Sequence, residues 1–535
     1  TVEGLQHLTF QFLLAEARAN GLEVPPVINI HGFANGGKTF PIGISQLLDV
    51  MRMDGMISAT DVYPGHIDEG NIHQLLLVNE MTKALHHPQQ PLFSIEFQAG
   101  GGHDLGGRQT SMYDLYTRLC LSSGLRAVNH YLFCDGENHP VLSPIKRHNW
   151  GHPVRLDGSL RQHYHRYPQL SRVLKSYGNV LVISQPRTVT TIGFQIDDFM
   201  TEVNNDFSQT AAKIITHQRD NVLFDMLGRG LTLTHRPFDA VEISSADLAG
   251  LKNRLLWVML DKQCDAGTQG KLVDFVRGGG KLVLAGRLPE EQFDHSPCTI
   301  LKDALGVTEM VSEMPFTTRI ISAIDYQDIP VSFLETYKGS FDEVFARDEN
   351  GAVAGFVKEL EQGTVMVFGA AMPADTLGDI DVVNQMADRM GCPALFKTSR
   401  WVDLRLSQAE QGGFLFVNNY LDDPVEIAID YEGKPLFGGH AVYLPARRGL
   451  ILPLEWQMKP DVLIHYVTSE VIAVAEDETG IQLRTAQEDF VAELSLRGYR
   501  CEGGQVLEDS DGTQRVLVRG KEGVIALSKE PEKKT

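Results

Sequence analysis

The sequence predicts a chain of mostly parallel α/β structure that turns all-β toward its C-terminal end. Three observations predict it. Over the first 178 residues, helix-period and strand-period apolar patterns alternate regularly. The alternation resumes with a different rhythm over 179–393. Beyond Pro393 helix signals fade, and short β-rich runs separated by turn residues take over. At roughly 100–200 residues per domain, 535 residues accommodate these three segments, 1–178, 179–393 and 394–535.

The first segment opens with a helix over 4–20. Leu5, Leu8, Phe12, Leu13 and Ala17 form its apolar positions and Gly21 stops it. A short strand over 27–30 exits at His31-Gly32. Helix 42–53, strand 56–62, helix 72–86, strand 92–97, helix 112–122, strand 127–133 and helix 162–175 follow. Strands alternating with helices imply parallel pairing through right-handed crossovers. Polar and aromatic residues gather just past the strand ends: His31, Tyr63, Glu96 and the stretch 135–138. In a (β/α)₈ barrel that edge carries the active site. Of the 18 histidines, 13 fall at or before His165, which fits a polar ligand cleft in this segment.

In the second segment, strands are expected over 180–183, 190–194, 255–260 and 281–285, with a late strand over 364–368. Helices over 270–277, ending at Gly278-Gly279-Gly280, and over 381–390 complete an open doubly wound sheet. This segment looks amidotransferase-like. A nucleophile elbow would need small residues flanking its cysteine on a sharp strand-to-helix turn. Asp261-Lys262-Gln263-Cys264-Asp265-Ala266 lacks that form, so a non-catalytic copy is expected. In the third segment, strands over 402–406, 414–418, 425–431, 462–467 and 515–518 are separated by turn residues such as Asp422-Asp423-Pro424 and Glu432-Gly433. They predict a β-sandwich-like domain.

Composition excludes several classes. An apolar fraction of 43% and a charged fraction of 22% belong to an ordered globular chain. Lys plus Arg number 48 against 69 Asp plus Glu, a net charge of −21, and so acidic a surface repels phosphate backbones. Nucleic acid is not an expected partner. No run of about 18 apolar residues exists, so no membrane span is expected. The six cysteines include no Cys-x-x-Cys pair, which points to a reducing, cytoplasmic location. His163-Tyr164-His165 lacks further ligands at metal spacing, and Gly100-Gly101-Gly102-His103-Asp104-Leu105-Gly106-Gly107 lacks the Gly-Lys-Ser/Thr ending of a phosphate cradle. That loop reads as an active-site loop, and no cofactor or metal is expected.

Glu96 stands out, in Pro91-Leu92-Phe93-Ser94-Ile95-Glu96-Phe97-Gln98-Ala99-Gly100. A carboxylate at the end of an apolar strand is costly to bury without partners. Either it is a salt-bridged rim residue or it does chemistry. In the next strand, alternation sends Asn129, Tyr131 and Phe133 to one face. The exit loop supplies Asp135, Glu137 and Asn138, which suit a hydroxyl-rich ligand or else form a solvated turn around Gly136. Tyr63, His66 and Trp150 lie in neighbouring exit loops, where an aromatic lip could stack on a sugar ring or simply pack.

Together these segments resemble the retaining β-galactosidases of glycoside hydrolase families 35 and 42. Phe93-Ser94-Ile95-Glu96-Phe97-Gln98-Ala99-Gly100-Gly101 resembles the nucleophile segment on the seventh barrel strand. Asn129-His130-Tyr131-Leu132-Phe133-Cys134-Asp135-Gly136-Glu137-Asn138 resembles the eighth-strand segment of family 35, with Asp135 and Glu137 replacing a Gly and a Thr. Asp61-Val62-Tyr63-Pro64 looks like the sixth-strand segment, and the later domains lean to family 42. The resemblance implies the C-terminal half of a (β/α)₈ TIM barrel, an amidotransferase-like domain and a β domain. It implies Glu96 as nucleophile, with Tyr63, Tyr131, Glu137, Asn138 and Trp150 around a β-galactoside, and no cofactor. The general acid/base of this superfamily belongs to an Asn-Glu pair after the fourth strand. The sole Asn-Glu here, Asn79-Glu80, falls mid-helix. The acid/base and the first half of the barrel are therefore expected upstream of Thr1, and association through the second domain is expected by analogy. Xylose, arabinose or glucosamine could replace galactose with few changes. A non-catalytic carbohydrate-binding or scaffold protein is the alternative; an amidotransferase would rest on the second domain alone.

Overall fold

The computed structural model describes residues 2–34, 38, 53–100, 112–199, 201, 205–313 and 318–530. The helix expected over 42–53, apart from Met53, and the glycine-rich loop beyond Gly100 lie outside the described residues.

After a first helix, Val2–Ala19, come four strands: β1 (Val27–Ala34), β2 (Ile57–Tyr63), β3 (Leu92–Gln98) and β4 (Leu125–Tyr131). They form one sheet in that order, with β1 and β4 as its edges among the described residues. Helices Ile72–Leu85 and Met112–Ser122 fill the connections on either side of β3. Helix Ile72–Leu85 carries Leu75, Leu76, Leu77, Val78 and Met81, apolar nearly all round, and is buried accordingly. Asn79 and Glu80 lie within it, and Glu80 pairs with Lys83 at 2.7 Å.

Residues 180–183 are not a strand, as their β-branched run suggested. They complete helix Arg166–Ile183. Leu170, Val173, Tyr177 and Leu181 are buried at helical spacing, and that stripe outweighs local β propensity even across the non-helical Gly178. Val182 and Ile183 point outward, each 54% exposed.

The chain packs as two units. One gathers residues 1–61, 70–92 and 188–395; the other gathers 62–69, 93–187 and 396–535. In the first, five strands run parallel in the order Phe238–Glu242, Thr190–Phe194, Leu255–Leu260, Lys281–Gly286, Gly363–Phe368. All six residues of Leu255–Leu260 are buried, as a central parallel strand covered on both faces requires. Helix Ala266–Arg277 starts where the Asp265 carboxylate accepts from the Thr268 amide at 3.0 Å and stops at Gly278, before Gly279 at φ +97°. The sheet then continues antiparallel through Val353–Leu360, Glu343–Asp348, Arg319–Ala323 and Tyr326–Val331. It is therefore mixed, where a doubly wound sheet was expected. Half-exposed strands such as Tyr326–Val331 mix polar and apolar residues, so they carry no long apolar run to announce them.

In the second unit, an eight-stranded antiparallel sheet has Arg448–Lys459 and Val462–Val467 at its centre, beside a four-stranded sheet built from Val471–Glu476, Gly480–Thr485, Val524–Lys529 and Tyr499–Cys501. Described residues from 394 onward contain no α-helix. Helices Met112–Ser122 and Arg166–Ile183 join these strands through polar contacts. Arg118, 1% exposed, binds Asp114 at 2.5 Å and both Glu470 oxygens at 2.8 and 2.9 Å. Arg448 donates to Asp114 at 2.6 Å, and the Ile451 amide donates to Glu470 at 2.8 Å. Burial alone would raise the Asp114 pKa; Arg118 and Arg448 outweigh it and hold the carboxyl below its usual range. The Tyr177 hydroxyl donates to the Ile451 carbonyl and accepts from the Val471 amide. Among the described residues no helix is long and apolar enough to cross a membrane.

Removing Glu470 takes one of two carboxylates from the buried Arg118 guanidinium and leaves it only Asp114, which Arg448 also shares. Glu470→Gln should lower unfolding free energy by about 3 kcal/mol in a urea titration. A second expectation concerns His130, which burial lowers from 6.5 to about 4. The unfolded chain takes up that proton first, so stability should fall as pH drops from about 6.5 toward 4. His130→Phe should flatten that part of the profile.

Candidate active site

Strand alternation places Ser94, Glu96 and Gln98 on one face of β3, while Phe97 packs on the other, its ring 5.5 Å from Tyr116. Glu96 is half-buried. Tyr63, the last residue of β2, donates its hydroxyl to Glu96 Oε2 at 2.8 Å. Gln98 ties two exit loops together: its Oε1 accepts from the Gly65 amide at 2.9 Å, and its Nε2 donates to the Gly100 carbonyl at 2.8 Å. Asn129 of β4 donates to the Ile95 carbonyl at 2.8 Å. Tyr131 closes β4, with its ring edge-on to Tyr63 at 6.1 Å and 6.2 Å from Trp150.

Four of the expected residues thus form one chain of contacts: Glu96, Tyr63, Tyr131 and Trp150. Glu137 and Asn138 are engaged elsewhere. Glu137 is exposed and pairs with Arg147 at 2.8 Å across the hairpin Gly136–Glu137/Arg147–His148. Asn138 donates its side-chain amide to the Ile145 carbonyl at 2.8 Å. Asp135, expected to face a hydroxyl-rich ligand, is half-buried, and its carboxylate is taken up by Arg161 and His152. His66 is partly exposed, 3.7 Å from Asp68.

Sequence reasoning missed the roles of Gln98, Asn129 and Gly100. A Cβ on Gly100 would stand 2.9 Å from the Trp150 carbonyl oxygen, so only glycine allows that approach. The signal available was Gln98-Ala99-Gly100 itself, a buried amide followed by small residues at a strand exit.

A half-buried carboxylate fixed by a phenol and rimmed by aromatic rings can attack an electrophilic carbon while a ring-shaped ligand stacks beside it. Among the described residues, no group of three or more His, Cys, Asp or Glu is placed to hold a metal ion. Cys264 is buried with its sulfur near the Asp265 carbonyl, and burial pushes its thiol pKa up, opposite to what a nucleophilic cysteine needs.

Comparisons with known proteins point to carbohydrate-active relatives. Residues 207–343 match the family described as GLMA-like, second domain. A β-1,2-glucosyltransferase of Ignavibacterium album is 22% identical over 421 residues, 75% of this chain and 58% of that protein. An exo-β-D-glucosaminidase of Thermococcus kodakarensis is 25% identical over 448 residues, 79% of this chain and 54% of that protein. The chain therefore spans little more than half the length of these curated relatives. Among solved structures, a GH42 β-galactosidase of G. stearothermophilus covers 80% of this chain, and the chain covers 64% of it, with TM-score 0.61 and 13% identity. A cold-adapted β-galactosidase of Rahnella sp. R3 gives 81%, 64%, 0.61 and 16%. The fold is thus glycoside-hydrolase-like, similar to that of the GH42 β-galactosidases.

Exposure decides which thiol reacts. With 5,5′-dithiobis(2-nitrobenzoate) at pH 8, exposed Cys134 should react quickly, and the buried Cys120, Cys264, Cys298, Cys392 and Cys501 only after unfolding. Fast labelling mapped to Cys264 would restore the amidotransferase reading.

Proposed function

We propose that this chain carries the nucleophile side of a retaining exo-acting β-glycosidase, with Glu96 as the nucleophile. The observation that carries the reading is the 2.8 Å hydrogen bond from Tyr63 to Glu96 at neighbouring strand ends, beside Tyr131 and Trp150. The Glu96 carboxylate attacks the anomeric carbon, and the bond to the leaving oxygen breaks as a second carboxyl group protonates that oxygen. Water then attacks the glycosyl-enzyme, gives its proton to the second group, and releases Glu96. Tyr63 keeps Glu96 aimed, because a hydrogen bond to a charged acceptor is worth about 1.5–3 kcal/mol. The second carboxyl and the first half of the barrel belong, in this reading, to a preceding segment. The sheet edges β1 and β4, which pair with no further strand among the described residues, and the greater length of the curated relatives support that division of labour. Residues 1–178 are then the half-barrel, 179–393 a non-catalytic amidotransferase-like domain and 394–535 a β-sandwich-like domain.

The sugar is a terminal β-linked hexose. The family 35-like segment at β4 favours β-galactoside; the glucosaminidase names of two relatives add β-glucosaminide. A second reading follows from the glucosyltransferase relative: a sugar hydroxyl in place of water would take the glycosyl group from Glu96.

Nitrophenyl β-galactoside, β-glucosaminide and β-glucoside, assayed with and without a glucoside acceptor, separate these outcomes on the complete protein. Glu96→Gln should lower turnover of the active substrate by about 10³-fold or more. Tyr63→Phe should lower kcat/KM by about 10- to 100-fold. Near-normal turnover in Glu96→Gln would remove Glu96 from the role, and sugar binding without turnover in the parent would favour the carbohydrate-binding alternative.

A further inference from the structure

We propose that Asp135 is the positioning residue of the sugar site: it clamps the loop that presents Trp150 beside Tyr131, and so sets how tightly a sugar ring is held there. The inference rests on the glycosidase reading above.

After Tyr131 the chain makes a long excursion before helix Arg166–Ile183, and one carboxylate gathers both limbs of it. Asp135 Oδ1 lies 2.9 Å from His152 Nδ1 and accepts from Arg161 Nη1 at 3.1 Å. Its Oδ2 accepts from Arg161 Nη2 at 2.7 Å, which completes a two-pronged fork. All three side chains are nearly buried, at 7% for Asp135, 3% for His152 and 5% for Arg161. The backbone follows the same path. The Asp135 amide donates to the Val154 carbonyl, the Arg161 amide to the Pro153 carbonyl, and Arg161 Nη1 to the His152 carbonyl at 2.7 Å. Burial lowers the His152 pKa, so the imidazole meets Asp135 as a neutral ring, and the charged partner of Asp135 here is Arg161.

Trp150 stands two residues before His152. It is 44% exposed, with its ring 5.0 Å from His148 and 6.2 Å from both Tyr131 and His152. On a second side the Trp150–Gly151 peptide passes close to Gly100, two residues beyond β3, where a Cβ would stand 2.9 Å from the Trp150 carbonyl oxygen. The loop is therefore held by Asp135 on the β4 side and lies close against Gly100 on the β3 side. A large half-exposed ring on an immobilised backbone binds without first paying an ordering cost, and an aromatic face suits the apolar face of a sugar. Without the Asp135 charge, the two-pronged fork to Arg161 is weakened and the loop loses that anchor.

The test is Asp135→Asn, which keeps size and removes charge, with Arg161→Lys as a milder second variant that keeps charge and loses the fork. Acrylamide quenching of Trp150 is obtained by subtracting the signal of Trp150→Phe. It should rise at least twofold in both variants. KM for the best nitrophenyl glycoside should rise about tenfold in Asp135→Asn, with kcat changed less than threefold, the split expected when binding rather than chemistry is lost. In a Trp150→Ala background, Asp135→Asn should add less than twofold to KM, because its effect runs through that ring. Unchanged quenching overturns the clamp whatever reaction the protein performs. Raised quenching with unchanged KM, or KM effects that multiply in the double variant, overturns the link to the sugar site. A parent inactive on every glycoside sinks that link together with the glycosidase reading, while the quenching measurement still decides the clamp.

Discussion

A guanidinium taken out of water loses several kcal/mol of hydration, and only close, well-directed carboxylates restore it. Arg118 meets that demand with Asp114 one helical turn before it and Glu470 more than three hundred residues after it. The second unit is arranged around this requirement. Helix Met112–Ser122 must sit against strand Arg448–Lys459 for Arg448 to reach Asp114, and the Ile451 amide must face Glu470. A Cβ on Gly449 would stand 2.6 Å from Arg118 Cδ, so the strand can pass there only as glycine. Tyr177 repeats the theme from the neighbouring helix: its ring packs on Phe414 and Trp456 while its hydroxyl serves two strand backbone groups. Packing energy and polar satisfaction thus depend on the same few side chains.

That scaffold bears on the site because the helices it anchors follow the strands that carry Glu96 and Tyr131. Helix Met112–Ser122 contributes Tyr113 and Tyr116. The Tyr116 hydroxyl donates to the Gln98 carbonyl at 2.6 Å, at the very end of Glu96's strand. The Tyr113 ring stacks on Tyr167 at 3.9 Å and its hydroxyl lies 3.0 Å from His130. Tyr167 in turn bonds the Ala99 carbonyl. The mouth of β3 is therefore held by aromatic side chains from two helices, which leaves the surroundings of the Glu96 carboxylate few alternative arrangements.

Much of this was legible in the residues themselves. Apolar runs such as Leu255–Leu260 and Leu92–Gln98 have few alternatives to a buried strand, and Glu96 is conspicuous because a carboxylate interrupts such a run. The strands Arg319–Ala323, Tyr326–Val331 and Glu343–Asp348 were not legible, because half-exposed strands mix polar and apolar residues in short stretches that also occur in loops. Residues 180–183 misled for the opposite reason: Val180, Val182 and Ile183 favour strands locally, yet Tyr177 and Leu181 are buried on a helical stripe that local propensity does not weigh. In the site, the resemblance set Tyr63 beside Glu96, but the other aromatic and acidic residues could be named without being assigned to partners. Asp135, Glu137 and Asn138 look equivalent in sequence, while in the folded chain the first pairs with Arg161 and His152 and the others brace their own hairpin.

By itself the sequence determined the alternation of strands and helices, the acidic surface, and the placement of Glu96, Tyr63 and Tyr131 at strand ends. These follow from periodicity, charge and chain direction, all of which are local or additive properties. Only the tertiary structure decided that Gln98 ties the loops after two strands, that Trp150 comes back beside Tyr131 and that Arg118 finds Glu470. Such pairings depend on strand order and on loop paths that bring distant residues within hydrogen-bonding reach, and no local pattern encodes that distance.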